Sequence, residues 1–234
     1  MTEQKRRVLA LVPRSSYLIP MRSMASLLLA GLLMASPAAA LPLRIVALGD
    51  SLTAGYGVPA DASFPARLEA ALRAKGHDVT IVNAGVSGDT AAQGLARLDW
   101  ALSDGADAAI VELGANDALR GLDPALTRRS LTAILDALKA RGIPVLLAGM
   151  RAPRNMGATY VDQFDSIYPE LARSHSAILY PFFLDGVAGV RGLNLEDGIH
   201  PNANGIEEIV QRILPKVEEL IATHRPTSKQ SSTQ

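Results

Sequence analysis

Apolar residues along the chain follow two spacings that take turns. Unbroken runs of four to six mostly apolar residues occur at Leu43–Leu48, Val79–Val82, Ala108–Leu113, Val145–Ala148 and Ala177–Tyr180. Such runs are the pattern of strands buried on both faces. Longer stretches with apolar residues three and four apart lie between them: Phe64–Lys75, Thr90–Leu102, Pro124–Arg141, Ala158–Arg173 and Asn202–Thr223. Phe64, Leu68, Ala71 and Leu72 share one helical face, and Gly76 stops that run. Pro124 and Gly142 bracket another helix at the ends each residue favours. Pro169 predicts an irregularity in the fourth, and Gly114–Gly121 reads as a polar loop. The alternation predicts one α/β domain over residues 41–223, its parallel sheet covered on both faces, with no internal repeat and no second domain. Function in such sheets sits in loops beyond the carboxyl ends of the strands. Here those loops are 49–57, 83–90, 114–121, 150–157 and 181–200.

The first forty residues follow neither spacing. Lys5, Arg6, Arg7, Arg14 and Arg22 precede the 12-residue apolar run Met24–Ala35, and Ser36-Pro-Ala-Ala-Ala40 ends it. Charge, short apolar core and small residues in that order predict a signal peptide cleaved near Ala40, hence a periplasmic or secreted protein. A true start at Met21 fits the usual length better. The run is shorter than the roughly 20 residues a spanning helix needs, although a retained anchor is the alternative. Cleavage leaves 194 residues with 18 basic and 22 acidic side chains. A net charge that is mildly negative argues against a nucleic-acid partner. No cysteine is present, which removes thiol nucleophiles and thiolate metal sites. The polar stretch 224–234 is expected to be a disordered tail.

Chemistry-bearing residues gather in the strand-end loops. Ser51, in Gly49-Asp50-Ser51-Leu52, follows the first strand. A serine hydroxyl is a weak nucleophile until a base takes its proton; without one, the segment is only a strand-ending turn. Of the four histidines, His77, His175 and His224 fall in connectors or the tail. His200 lies in Asp197-Gly-Ile-His200-Pro201, after the last strand, with Asp197 close enough to reach its Nδ1 and fix its tautomer. An aspartate capping the last helix beside a surface histidine is the alternative. Acyl transfer also needs donors for a developing oxyanion. The Ser51 amide, the Gly85 amide and the Asn116 side chain are candidates at the same sheet edge. Asp50 and Asp117 are expected to hold loop amides behind them. Asp50, Asp89 and Asp117 lack a full ligand set, so no metal is expected; nor is there a phosphate loop or G-x-G-x-x-G. Gly85-Val-Ser87-Gly88-Asp89 fails the G-x-S-x-G pattern at its last position.

Four blocks together resemble the SGNH (GDSL) hydrolase superfamily: Gly49-Asp50-Ser51-Leu52, Asn83-Ala-Gly85, Gly114-Ala-Asn116-Asp117 and Asp197-Gly-Ile-His200-Pro201. The likeness covers nearly all of residues 43–222. It is nearest the exported bacterial branch known as thioesterase I, protease I, lysophospholipase or arylesterase, through Ser63–Leu68, Leu119–Gly121 and Arg151–Met156. This resemblance implies a flavodoxin-like three-layer α/β/α sandwich with a five-stranded parallel sheet. It also implies a metal-free, cofactor-free hydrolase working through an acyl-enzyme on Ser51, with His200 as base and Asp197 behind it. A small acyl ester or thioester is the expected partner, and a monomer the expected state. Leu119, Leu122, Met150, Met156, Tyr160 and Phe183 are candidates for an apolar wall, with Gly121 marking a mobile loop. The rival readings are a carbohydrate or cell-wall acetyl esterase, which would show an open cleft with exposed aromatics whereas this chain has one tryptophan, Trp100, in an expected helix, and a non-catalytic binding domain on the same scaffold.

Overall fold

The computed structural model describes residues 41–224; the export-segment reading of 1–40 and the tail reading of 225–234 lie outside them. Strand β1 (Leu43–Gly49) is joined by β2 (Val79–Gly85), β3 (Ala108–Glu112), β4 (Val145–Ala148) and β5 (Ile178–Tyr180) in the order β2-β1-β3-β4-β5. Every pairing is parallel. The strand order reverses between β2 and β3, on either side of β1, which makes the carboxyl ends of β1 and β3 the switch point where such sheets bind ligands. All five residues of β3 are buried. That is the expected fate of a central strand whose two faces are both covered by helices.

One face is covered by α2 (Phe64–Ala74) and α9 (Ala203–His224), which pack on each other. The other is covered by α3 (Ala91–Ala96), α4 (Leu98–Ala101), α6 (Pro124–Ala140) and α8 (Ile167–His175), in which α6 packs on both α3 and α8. The result is the expected three-layer α/β/α sandwich. Helix α9 lays Ile206, Ile209, Val210, Ile213, Val217, Leu220 and Ile221 against the sheet, each such burial contributing about 1.5–3 kcal/mol before entropy is counted. Asp123 caps α6 by accepting from the Ala125 amide at 2.8 Å, with Pro124 next to it. No helix of the described residues is long and apolar enough to cross a membrane.

Departures from the expected elements have local causes. The helix expected over 90–102 breaks at Arg97, whose guanidinium turns back to the sheet edge. The helix expected over 158–173 divides into α7 (Ala158–Asp165) and α8, parting at Ser166. Restarting there puts Pro169 in the first turn of α8, where a missing N–H costs no helical bond. Residues 114–121 are not simply loop, because Ala115–Leu119 forms the short helix α5. Strand β2 runs on to Gly85, since Asn83, Ala84 and Gly85 pair with Ala47, Leu48 and Gly49.

Candidate active site

Ser51 is the first residue of α1 (Ser51–Ala54), a single turn that starts where β1 ends. Asp50 caps this turn: its Oδ1 accepts the Leu52 amide at 3.0 Å. Beneath the turn, Glu112 at the end of β3 accepts from the Thr53 hydroxyl at 2.8 Å and from the Asp50 amide at 3.4 Å. The space is tight. A Cβ on Gly49 would lie 2.0 Å from Thr53 Oγ1, and one on Gly85 would lie 2.3 Å from the Ala54 amide nitrogen. Both glycines therefore let the serine-bearing turn seat directly on the sheet edge.

The loop following β5 brings the candidate base, His200, from 149 residues away. His200 Nε2 lies 3.0 Å from Ser51 Oγ, and His200 Nδ1 lies 2.7 Å from Asp197 Oδ2. Asp197 Oδ1 accepts the amides of Ile199 at 2.9 Å and His200 at 3.0 Å. The His200 amide and ring, then the Ile199 amide, hold the Asp197 carboxyl down at about 2. It is thus ionised at any working pH. The Tyr56 ring lies 4.4 Å from the imidazole, tilted by 37°. Asn194 ties the loop down by donating to the carbonyls of Val187 and Val190, each at 2.8 Å. Asn202 donates to those of Gly192 and Asn194 at 3.0 and 3.2 Å.

The candidate oxyanion donors fare differently. Among the described residues the Ser51 amide has no acceptor. Gly85 is a correction: its amide donates to Asn83 Oδ1 at 3.0 Å, and its glycine character is explained by contact with α1. The nearby turn Val86–Asp89 closes through the Asp89 amide on Val86 O at 3.1 Å, with Gly88 at φ +88°. The Gly88 carbonyl accepts from Arg120 at 2.8 Å, while its amide has no acceptor among the described residues. Asn116, in α5, donates through Nδ2 to Asp50 Oδ2 at 3.1 Å and to the Asp89 carbonyl at 3.0 Å. That carbonyl contact ties α5 to the residue after Gly88.

Behind these groups stand side chains whose roles the sequence only partly announced. Asp50 holds the Leu52 amide as expected, but it also aims Asn116. Burial pushes the Asp50 carboxyl up to about 6, against the bonds from Leu52 and Asn116 that pull it down. Burial first, then the charge of Asp50, push Glu112 well above the usual carboxylate range. Glu112 Oε1 is buried without a partner. Asp117 holds the Ala91 amide and the Thr127 hydroxyl, each at 2.9 Å, docking α3 and α6. Arg97 was not anticipated. It bonds Asp89 at 2.6 Å and the carbonyls of Ala84 and Gly49 at 2.8 Å each, clamping the ends of β1 and β2. An arginine inside a helical pattern carries no local signal of such a role.

A cavity of about 650 Å³ opens beside Ser51, Asn116 and His200. Leu119 and Met150 line it, as the sequence suggested; Phe182, Leu184, Ala188 and Ile199 join them. The other four wall candidates lie elsewhere. Phe183 is fully buried, edge-on to Phe64 at 5.0 Å, while its neighbours Phe182 and Leu184 line the cavity. Tyr160 stacks on Phe164 and donates to the carbonyl of Leu122 at 2.8 Å. Neither Tyr160 nor Leu122 lines the opening, and Met156 sits against Gly121.

Residues 47–207 match the GDSL-like Lipase/Acylhydrolase family. The chain is 38% identical over 203 residues to the esterase TesA of Pseudomonas aeruginosa, covering 85% of this chain and all of that one. It is 39% identical over 178 residues to the thioesterase 1/protease 1/lysophospholipase L1 of Escherichia coli K12, covering 76% of this chain and 84% of that one. The solved structure of AlinE4, an SGNH-hydrolase family esterase, is 49% identical, with a TM-score of 0.65 over 80% of this chain and 98% of its own. The chain belongs to the GDSL-like lipase/acylhydrolase family and is an ester or thioester hydrolase.

Proposed function

We propose that this hydrolase works through Ser51 as nucleophile, His200 as general base and Asp197 as the carboxylate that orients the base. The observation that carries the reading is the continuous chain Ser51 Oγ, His200 Nε2, His200 Nδ1, Asp197 Oδ2, with links of 3.0 and 2.7 Å. Each link is within hydrogen-bond reach for proton transfer. His200 takes the serine proton as Oγ attacks the acyl carbon, and Asp197 stabilises the imidazolium that forms. The same proton then goes to the departing alcohol or thiol. Water, deprotonated by His200, releases the acid from the acyl-enzyme.

The oxyanion is received by the Ser51 amide, the Gly88 amide and Asn116 Nδ2. Gly88 takes the place first given to Gly85, because Gly85 has already spent its donor on Asn83. Both Asn116 hydrogens are also engaged at rest, so the oxyanion draws one of them from the Asp89 carbonyl or from Asp50. The side of the cavity built by Leu119, Met150, Phe182, Leu184 and Ile199 favours an acyl chain over a sugar. Trp100, exposed on α4, does not line that cavity. The chain acts as a monomer on small acyl esters or thioesters, after export and removal of residues 1–40. Stoichiometric labelling by a fluorophosphonate, mapped to Ser51 by mass spectrometry and abolished by Ser51→Ala, tests the reading. Labelling of that variant at the original rate overturns it.

A further inference from the structure

Between the serine-bearing turn and the histidine segment stands Gly55-Tyr56-Gly57. Its backbone belongs to the serine half: the amides of Gly55 and Tyr56 both donate to the Ser51 carbonyl, each at 3.1 Å. The flanking glycines are left-handed, Gly55 at φ +84° and Gly57 at φ +75°, a conformation open to glycine and costly to other residues. Gly57 also meets the histidine segment, since a Cβ there would lie 2.5 Å from Leu195 Cδ1. The Tyr56 side chain serves that other half. Its ring centroid lies 4.4 Å from that of His200, the planes tilted by 37°. That is at the short end of the range of about 4.5–7 Å for aromatic pairs. Tyr56 is nevertheless 53% exposed, lies outside the hydrophobic core and does not line the cavity beside Ser51. Among the described residues its hydroxyl has no hydrogen-bond partner. Core packing, a hydroxyl bond and the cavity wall therefore leave this ring unexplained, and the imidazole is what it touches.

We propose that Tyr56 is a positioning residue of the reaction, holding the His200 imidazole beside Ser51 and favouring its charged form. The role assigned to Tyr56 rests on the reading of His200 as general base. The face of a phenol ring is electron-rich and attracts a cation laid against it more than a neutral ring. His200 is neutral while it waits for the serine proton and an imidazolium once it has taken it, so the contact strengthens as Ser51 attacks. An interaction that is stronger in the transition state than before it raises kcat rather than substrate affinity. Asp197 supports the imidazolium through Nδ1, but its side chain is 36% exposed and shared with solvent. Tyr56 adds support from the ring face, where no hydrogen bond is made. Its amide is fixed to the carbonyl of Ser51 itself, which keeps the ring in register with the nucleophile. Base and nucleophile are thus referenced to one backbone atom, although 149 residues part them.

Tyr56→Leu, which keeps an apolar side chain and removes the π face, tests this beside Tyr56→Phe in steady-state kinetics on a p-nitrophenyl ester. Tyr56→Leu should lower kcat about 3- to 30-fold with KM almost unchanged, and Tyr56→Phe should stay within about twofold of the parent. In His200→Ala, where the ring has nothing to support, adding Tyr56→Leu should cost no further activity. The contact itself is read by NMR of histidine-labelled protein, with the His200 ring-proton signals assigned through His200→Gln. Those signals should move in Tyr56→Leu and stay nearly in place in Tyr56→Phe. A parent-like kcat in Tyr56→Leu, an equal loss in Tyr56→Phe, or the same loss on the His200→Ala background overturns the proposal. So do unmoved His200 signals, and so does a loss carried by KM, which would make Tyr56 a substrate contact. Parent-like turnover in His200→Ala refutes the base reading instead, and with it the role of Tyr56 but not the contact, which the NMR signals report independently.

Discussion

The two halves of the site are built in opposite ways. The serine half is part of the core: Ser51 is 8% exposed, Asp50 and Glu112 are fully buried, and the turn is clamped through Arg97, Thr53 and Asn116. The histidine half is a long surface segment in which the side chain of Asp197 is 36% exposed. It has little regular structure and is held chiefly by the amides of Asn194 and Asn202. A rigid candidate nucleophile thus meets a candidate base carried beyond the buried Phe183 and Val187 on residues 188–200, most of them exposed, the kind of segment that opens at low cost. The half that must hold an oxyanion donor within a few tenths of an ångström is placed where packing enforces it. The half that needs to move a proton over one hydrogen bond is placed where local bonds suffice.

The largest effect expected from breaking this division is at its meeting point. Ser51→Ala should lower kcat by roughly 10⁴- to 10⁶-fold with the thermal midpoint almost unchanged, measured on a p-nitrophenyl ester and by calorimetry. Asp197→Asn leaves the loop bonds largely in place but removes the charge that supports the imidazolium. A fall of roughly 10³- to 10⁴-fold in kcat is expected, and a loss under tenfold would mean that His200 needs no carboxylate. If the proposed oxyanion role of Asn116 holds, Asn116→Ala should cost about 100- to 1000-fold in kcat with little change in KM.

Asp50→Asn distinguishes the buried half by its pH dependence. Burial raises the Asp50 carboxyl from 3.8 to about 6 in the folded chain, so the folded state holds this proton more tightly than the unfolded state. Its contribution to stability is fully present below about 4 and is lost as pH rises through about 6. The wild-type protein, compared with Asp50→Asn by denaturant titration, should therefore lose relative stability between those pH values. Its activity should rise over the same interval as the carboxylate that holds Asn116 forms. The smallest effect belongs to the surface half. Asn194→Ala removes two loop bonds, a cost of about 1–3 kcal/mol that should appear as faster amide exchange around residues 187–200. Protection at Ser51–Ala54 should not change; if it does, the two halves are not separate.

The pattern of apolar spacing was enough to place every strand and the sheet that joins them. Long uninterrupted runs such as Ala108–Leu113 have few alternatives once helical stretches flank them. Pro169 announced the irregularity that parts α7 from α8 at Ser166. The break at Arg97 was harder to see, because the pattern there stays helical in period and the break answers to bonds at the sheet edge. In the candidate site, Ser51, Asp197, His200 and Asn116 were legible because each is a distinctive residue type in a segment beyond the carboxyl end of a strand. The cavity wall was not. Among Leu119, Leu122, Met150, Met156, Tyr160 and Phe183, residue type alone does not separate the two that face the opening from the four that pack elsewhere.

Residue order by itself determined that a serine, a histidine and an aspartate would arrive at one edge of a parallel sheet. That follows from strand periodicity and from short turns whose chemistry is local. Only the tertiary structure decided which of two glycine amides is already committed. Gly85 ends β2, and Gly88 follows three residues later. Gly85 is claimed by Asn83 and by the underside of α1, while the Gly88 amide has no acceptor among the described residues. The same holds for Asp50, whose partner Asn116 is 66 residues away. Hydrogen-bond commitments between distant segments depend on how the strand ends converge, and no local pattern carries that information.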